Sequence, residues 1–185
     1  MQHLLENTDP VHKVSIVSRG MMGGYTMALP EDDRTMYSKS KFEDELAAML
    51  GGRVAEQCVF GDVTTGASND LQRATKLARS MVTEYGMSEA LGQRTFGQKD
   101  ELIFLGREIS EQRDYSEEVA TQIDREIKAI IDRAYDRARD VVESYRDKLD
   151  SLAELLIEKE TIDHDDLKTV VDGASAAAVE PAASA

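Results

Sequence analysis

The residues best suited to chemistry surround Asp70, in the segment TTGASNDLQRAT that runs from Thr64 to Thr75. Here Asn69 and Asp70 follow a glycine-containing turn and open a predicted helix. At a helix start, free backbone N–H groups and the helix dipole favour negative charge, so a carboxylate is held ionised and fixed in direction. Such a group suits an oxygen ligand for a metal ion. An Asp that simply caps the helix occupies the same position, and the residue types alone do not separate the two roles.

The composition argues against several other kinds of site. The 185 residues include 22 basic and 36 acidic side chains, a formal net charge of −14 at pH 7 that disfavours a nucleic-acid partner. Cys58 is the only cysteine, which excludes an internal disulfide and a Cys-based zinc site. No apolar run approaches the roughly 18 residues of a membrane span, so we expect a soluble segment without membrane contact. Neither a serine-hydrolase arrangement nor the phosphate loop G-x-x-x-x-G-K-[ST] is recognisable.

The hydrophobic pattern predicts a mainly α-helical fold with a small β-hairpin near the N-terminus. Apolar and polar residues alternate over residues 13–16 and again over residues 25–29, the period of half-buried strands. A helix is predicted from about Lys41 to Cys58, interrupted by two glycines at 51 and 52. Each glycine costs a helix about 1 kcal/mol relative to Ala, and we expect close approach of another helix to offset that cost.

The remaining elements are also helical. The helix that contains Asp70 should continue to about Tyr85, where Gly86 supplies a left-handed stop. Residues 87–115 are predicted to be irregular, with at most one short strand. A long helix of roughly 45 Å should run from Ser116 to Arg146. Two shorter helices follow, the second capped by Asp163, and a disordered tail occupies residues 173–185.

Several longer segments, in the same order along the chain, resemble the peptidase domain of the FtsH family of membrane-anchored, ATP-dependent zinc metalloproteases. They are DPVHKVSIVSRG, GGYTMALPEDD, LGGRVAEQCVFGDVTTGASNDLQRATKLARSMVTEYGMS and FLGRE. The resemblance extends from Met1 to about Val171 and implies a helical FtsH-type peptidase fold. It divides the chain into an incomplete metallopeptidase subdomain (1–110), a helical C-terminal subdomain (111–172) and the tail.

The resemblance also implies a role for individual residues. The Asp of the family's SND triplet, its third zinc ligand, falls on Asp70. Glu56 lies on the helix that packs beside the metal in the family and is a candidate to support the site, although a solvated Glu on a helix surface is an equally ordinary explanation. His12 is implied to lie beside the site rather than on the metal. His164 lies among acidic residues at a predicted helix start, where capping explains them better than a metal does.

The family's zinc site also needs an H-E-x-x-H helix, and that motif does not occur in this sequence. Met1 falls inside what resembles the tail of the helix, so two zinc ligands and the catalytic Glu are expected to be missing and the isolated chain is expected to be inactive. The resemblance implies one zinc ion per intact active site. ATP and magnesium would bind only in an upstream domain.

The function implied is the C-terminal part of a zinc metalloendopeptidase that degrades unfolded and membrane proteins. The intact protein would be a membrane-anchored homohexamer with its peptidase domain on the cytoplasmic side. The alternative is a non-catalytic relative, a helical interaction module that assembles with FtsH-like rings.

An exposed strand edge in such a protease can bind an unfolded polypeptide as an additional strand. A hairpin that merely covers a helix explains the same pattern. The candidate edge residues are His12, Lys13, Val14, Ser15 and Ile16.

Overall fold

The computed structural model describes residues 1–18, 23–29, 36–97 and 114–173. The strands in these ranges are β1 (Val11–Ser15), β2 (Tyr25–Ala28) and β3 (Thr161–Asp163), and the helices are α1 (Lys39–Phe60), α2 (Ser68–Thr83), α3 (Glu117–Ser144), α4 (Arg146–Lys159) and α5 (His164–Val171). Short 3-10 helices cover Gln2–Leu4 and Thr65–Ala67. The predicted class, mainly α-helical with a small sheet near the N-terminus, is confirmed. None of these helices is long and apolar enough to cross a membrane.

Helices α1, α2 and α3 enclose the main core, and each of the three contacts the other two. Their apolar residues recur three or four positions apart, so each helix turns one stripe inward. Burying a side chain of this size contributes roughly 1.5–3 kcal/mol. The largest fully buried side chains of this core are Leu46, Leu50, Val54, Met81, Val82 and Ile123.

The long helix predicted from Ser116 is confirmed, with one difference at its end. The Ser116 hydroxyl accepts a hydrogen bond from the backbone N–H of Val119 at 3.3 Å, the expected N-cap. Helix α3 has 28 residues and ends at Ser144, because Tyr145 leaves the helical conformation (φ −118°, ψ 31°). Arg146, predicted as the end of the long helix, instead begins α4.

The two glycines of α1 are explained differently from the prediction. A Cβ on Gly51 would lie 3.3 Å from the side chain of Met1, so the close neighbour is the start of the chain and not another helix. A Cβ on Gly52 would meet nothing within 4 Å. The expectation of a second helix at this point is therefore wrong.

The sheet has the order β2-β1-β3 and is antiparallel throughout. Val14 lies opposite Thr26 on one side and opposite Ile162 on the other. The β1–β2 hairpin is confirmed, whereas β3 was not predicted. A second, smaller core lies beneath the sheet, and its buried members are Val11, Ile162 and Leu167.

Some expectations concern residues outside the described ranges. The apolar run 103–105, the division between residues 110 and 111, and the tail from residue 174 onward lie there, and the domain division stays a prediction. Residues 87–97, which are described, contain neither helix nor strand, as expected.

Candidate metal centre

The loop that leads to Asp70 is built from short local hydrogen bonds. Helix α1 ends at Phe60, and Gly61 takes the left-handed conformation (φ 69°) that lets the chain turn away. The Thr64 hydroxyl then accepts a hydrogen bond from the backbone N–H of Gly66 at 3.1 Å, which caps the 3-10 helix Thr65–Ala67. This 3-10 helix continues directly into α2 and therefore determines where the first turn of α2 begins.

Glu56 clamps this loop from the side of α1. Its two carboxylate oxygens accept hydrogen bonds from the backbone N–H of Thr64 at 3.0 Å and from the Thr64 hydroxyl at 2.8 Å. These bonds, the backbone one first, hold the pKa of Glu56 below its usual range because they favour the ionised form. A Cβ on Gly66 would lie 3.2 Å from the Thr64 hydroxyl and 3.6 Å from the nearer Glu56 oxygen, so the clamp leaves little room for a side chain there.

Asp70 lies in the first turn of α2 and does not cap it. The N-cap of α2 is Ala67, which offers no side-chain acceptor, and the Asp70 carboxylate accepts no hydrogen bond from the described part of the chain. The side chain is 46 % exposed, and its nearest charged partner is the guanidinium of Arg73, 3.6 Å away. The carboxylate is therefore accessible at the positive end of a helix dipole.

The described residues do not complete a metal site around Asp70. Within residues 1–18, 23–29, 36–97 and 114–173, no group of three or more His, Cys, Asp or Glu side chains is arranged to hold a metal ion. Both oxygens of Glu56 are already hydrogen-bonded to Thr64. A metal ion at Asp70 would therefore need ligands besides those that the described residues place around it.

The three histidines of the chain lie together beside α5. The ring centre of His164 is 6.2 Å from that of His3 and 6.4 Å from that of His12. The Nδ1 atom of His164 lies 2.9 Å from the carbonyl oxygen of Val11, and because a carbonyl only accepts, this nitrogen carries the proton. The Nε2 atom of His3 lies 3.0 Å from an Asp172 oxygen. Asp163 caps α5, as expected, by accepting a hydrogen bond from the N–H of Asp166, and the Asp166 carboxylate pairs with Lys159.

The candidate substrate edge is not where it was predicted. His12, Lys13, Val14, Ser15 and Ile16 were expected to present a free edge, but β1 is the middle strand. Ser15 pairs with both Tyr25 and Thr161, and the N–H of Ile16 donates to the carbonyl of Glu160 at 3.0 Å. That expectation is wrong because β3 occupies the side of β1 that the sequence left open. Among the described strands, β2 has only one neighbour.

The roles of Thr64 and Gly66 were not predicted. A Thr two residues before a Gly is a local pattern typical of a capped turn, so this signal was available. The burial of Asp44 was not predicted either, and this side chain is completely buried although it lies near the start of α1. No local pattern distinguishes that Asp from an ordinary solvated one.

Comparison with known proteins gives consistent matches over almost the whole chain. Residues 1–170 match the model of peptidase family M41. An "ATP-dependent zinc metalloprotease FtsH 1" of Sphaerobacter thermophilus is 59 % identical over 91 % of this chain, and one of Thermomicrobium roseum is 56 % identical over the same share; each match covers 26 % of the relative. The "ATP-dependent zinc metalloprotease FtsH" of Thermotoga maritima is 48 % identical over 91 % of this chain and 28 % of its own length. The chain therefore spans about a quarter of the length of these relatives.

Proposed function

Because this chain belongs to peptidase family M41, we propose that it is part of an ATP-dependent zinc metalloendopeptidase in which Asp70 is a zinc ligand. One observation carries the assignment of Asp70. The carboxylate of a capping Asp would accept a hydrogen bond from a backbone N–H. The Asp70 carboxylate is accessible and accepts no hydrogen bond from the described residues. The positive end of the helix dipole favours negative charge at this position, which suits a ligand for a cation.

Glu56 supports this ligand without binding the metal. Both of its oxygens are used to hold Thr64, and Thr64 caps the turn that starts α2. The clamp therefore acts on the direction of the Asp70 side chain through the loop. This arrangement supports the expectation that Glu56 is a supporting residue of the site.

The rest of the metal site is proposed from the family. Bound zinc would supply an activated water at neutral pH and polarise the scissile carbonyl. Asp70 would contribute one oxygen ligand, and an H-E-x-x-H helix, a motif this sequence does not contain, would contribute two imidazoles and the general base. On this proposal the isolated chain does not hydrolyse protein.

The intact protein would couple this centre to other parts. ATP and magnesium would bind in an upstream ATPase domain, and a membrane-anchored homohexamer would enclose the peptidase sites on the cytoplasmic side. Unfolded polypeptides are the proposed substrates. The outer side of β2, rather than β1, is the edge on which such a polypeptide could add a strand, and exposed Met27 and Leu29 (43 % and 46 %) would give it apolar contacts.

The substitution Asp70→Asn in a full-length protease that carries this domain tests the proposal. Asn keeps the shape of the side chain but removes the negative oxygen, so proteolysis and bound zinc should both fall at least tenfold while ATP hydrolysis continues. Asp147→Asn is the matched control, since Asp147 also lies in the first turn of a helix, α4. Proteolysis that persists in Asp70→Asn with zinc retained would show that Asp70 is not a ligand.

A second experiment examines the 185-residue chain itself. After dialysis against zinc and then against metal-free buffer, it should retain much less than one zinc per chain and should not cleave casein. Chelator-sensitive cleavage by this polypeptide would contradict the proposal that the remaining ligands lie elsewhere. A full-length protease that neither binds zinc nor cleaves protein would instead favour the non-catalytic interaction module.

A further inference from the structure

A completely buried carboxylate, that of Asp44 on α1, fastens the amino-terminal segment to the helical core. One oxygen, Oδ2, accepts two hydrogen bonds from Asn7, from its backbone N–H at 3.0 Å and from its side-chain amide at 2.8 Å. The other oxygen forms an ion pair with Arg137 of α3, whose Nη2 atom is 2.7 Å away. Burying a charge is costly unless it is paired, and here the partners come from two distant segments.

The contact fixes how residues 1–7 lie on α1. From Asn7 at Asp44, the segment runs back to Met1, whose side chain lies 3.3 Å from the Cβ position of Gly51. Asp44 and Gly51 are seven residues apart, or about 10 Å along the helix axis. The segment is thus antiparallel to α1, and Met1 lies toward the end of α1 that carries Glu56.

The polar contact between Asn7 and Asp44 fixes the register of the segment along α1, which the apolar contacts of the segment do not. Leu5 is buried against the main core, but hydrophobic burial is not directional and tolerates a shift of the segment along α1. Two hydrogen bonds from one residue to a single buried oxygen are directional and allow only one register.

We propose that Asp44 is a positioning residue for the metal centre, which acts by holding residues 1–7 in register along α1 through Asn7. This inference rests on the function proposed above. In a longer protease, the residues that precede Met1 would start beside Gly51, which lies five positions before Glu56 on α1. The register set at Asn7 therefore decides where they meet the loop that presents Asp70.

Hydrogen exchange on the 185-residue chain tests the anchor without reference to activity. The backbone N–H groups of Leu4, Leu5 and Thr8 donate hydrogen bonds within this segment, and that of Asn7 donates to Asp44. Asp44→Asn and Asn7→Ala should each speed exchange of a peptide covering residues 1–9 at least tenfold relative to peptides of α3. Asn7→Ala keeps the ion pair with Arg137 and so remains informative if Asp44→Asn fails to fold. Asp136→Asn, which removes an exposed carboxylate paired with Arg139 at 3.0 Å, is the matched control and should change nothing.

In a full-length protease, Asn7→Ala should lower bound zinc and proteolysis together, with ATP hydrolysis retained. Unchanged exchange in both single variants, or faster exchange with normal zinc and proteolysis, would overturn the proposal. Failure of the Asp70→Asn experiment would instead overturn the function on which it rests and leave the exchange result standing.

Discussion

The clamp on the Asp70 loop makes Thr64→Val the most direct test of how that loop is held. Val has the shape of Thr and suits the extended backbone of residue 64 (φ −110°, ψ 177°), so the substitution removes the hydroxyl and little else. The cap on Gly66 and the bond to the nearer Glu56 oxygen are both lost. Losing an N-cap costs about 1 kcal/mol. For a domain of this size that corresponds to a fall in Tm of about 2–4 °C.

The assay is urea unfolding of wild type, Thr64→Val and Thr64→Ser, followed by helical circular dichroism at pH 7. Ser retains the hydroxyl, so its unfolding midpoint should stay close to that of wild type. In a full-length protease, Val should also weaken zinc binding, because the first turn of α2 is less well defined. If Ser and Val lose the same stability, the hydroxyl is not what holds the loop. If neither loses any, the clamp does not contribute to stability.

Three further predictions concern stability. Because the pKa of Glu56 is lowered in the folded state, its ionised form stabilises the fold above the unfolded pKa of about 4.3 and this contribution is lost as the pH falls through the folded pKa. Glu56→Gln should therefore unfold at lower urea than wild type at pH 7, and the difference should shrink as the pH falls below the unfolded pKa. Gly52→Ala should raise the free energy of unfolding by about 0.5–1 kcal/mol, since helix propensity improves and the new Cβ meets nothing. Gly51→Ala should raise the free energy of unfolding less, because the new Cβ presses on Met1. Equal increases for the two variants, measured by calorimetry, would contradict this. Ile162→Ala empties the middle of the small core and should cost about 2–5 kcal/mol. An added protease should then cut β3 and α5 of this variant before α1. Simultaneous cutting of all three would show that the two cores do not unfold separately.

The helices could be predicted from sequence because local rules determine them. The apolar spacing of α1, α2 and α3, the Ser116 cap and the left-handed Gly86 (φ 61°) depend on residues a few positions apart. Strand β3 could not be predicted, because three residues are too few for a periodic pattern and its partner β1 lies at the other end of the chain. The expected free edge was wrong for that reason.

In the candidate site, too, local features could be predicted from sequence and distant contacts could not. Asp70 was identified through its place at a helix start and its family motif, and the structure shows that its carboxylate is not used as a cap. The contact of Glu56 with Thr64 joins residues eight positions apart across a turn, which helical spacing alone does not predict. Asp44 was beyond prediction, since its burial depends on Asn7 and on Arg137 from a helix more than ninety residues later.

The pairing of β1 with β3 has a consequence for how the chain is made. The Ser15 hydroxyl contacts that of Thr161, and 146 residues separate the two. Bringing such distant residues together is slow, whereas contacts between nearby helices form quickly. During synthesis one side of β1 therefore stays unpaired until nearly all of the described chain, including β3, has left the ribosome. We expect the helical core to fold first and the small core last, so a stalled or shortened chain would expose an open strand to aggregation.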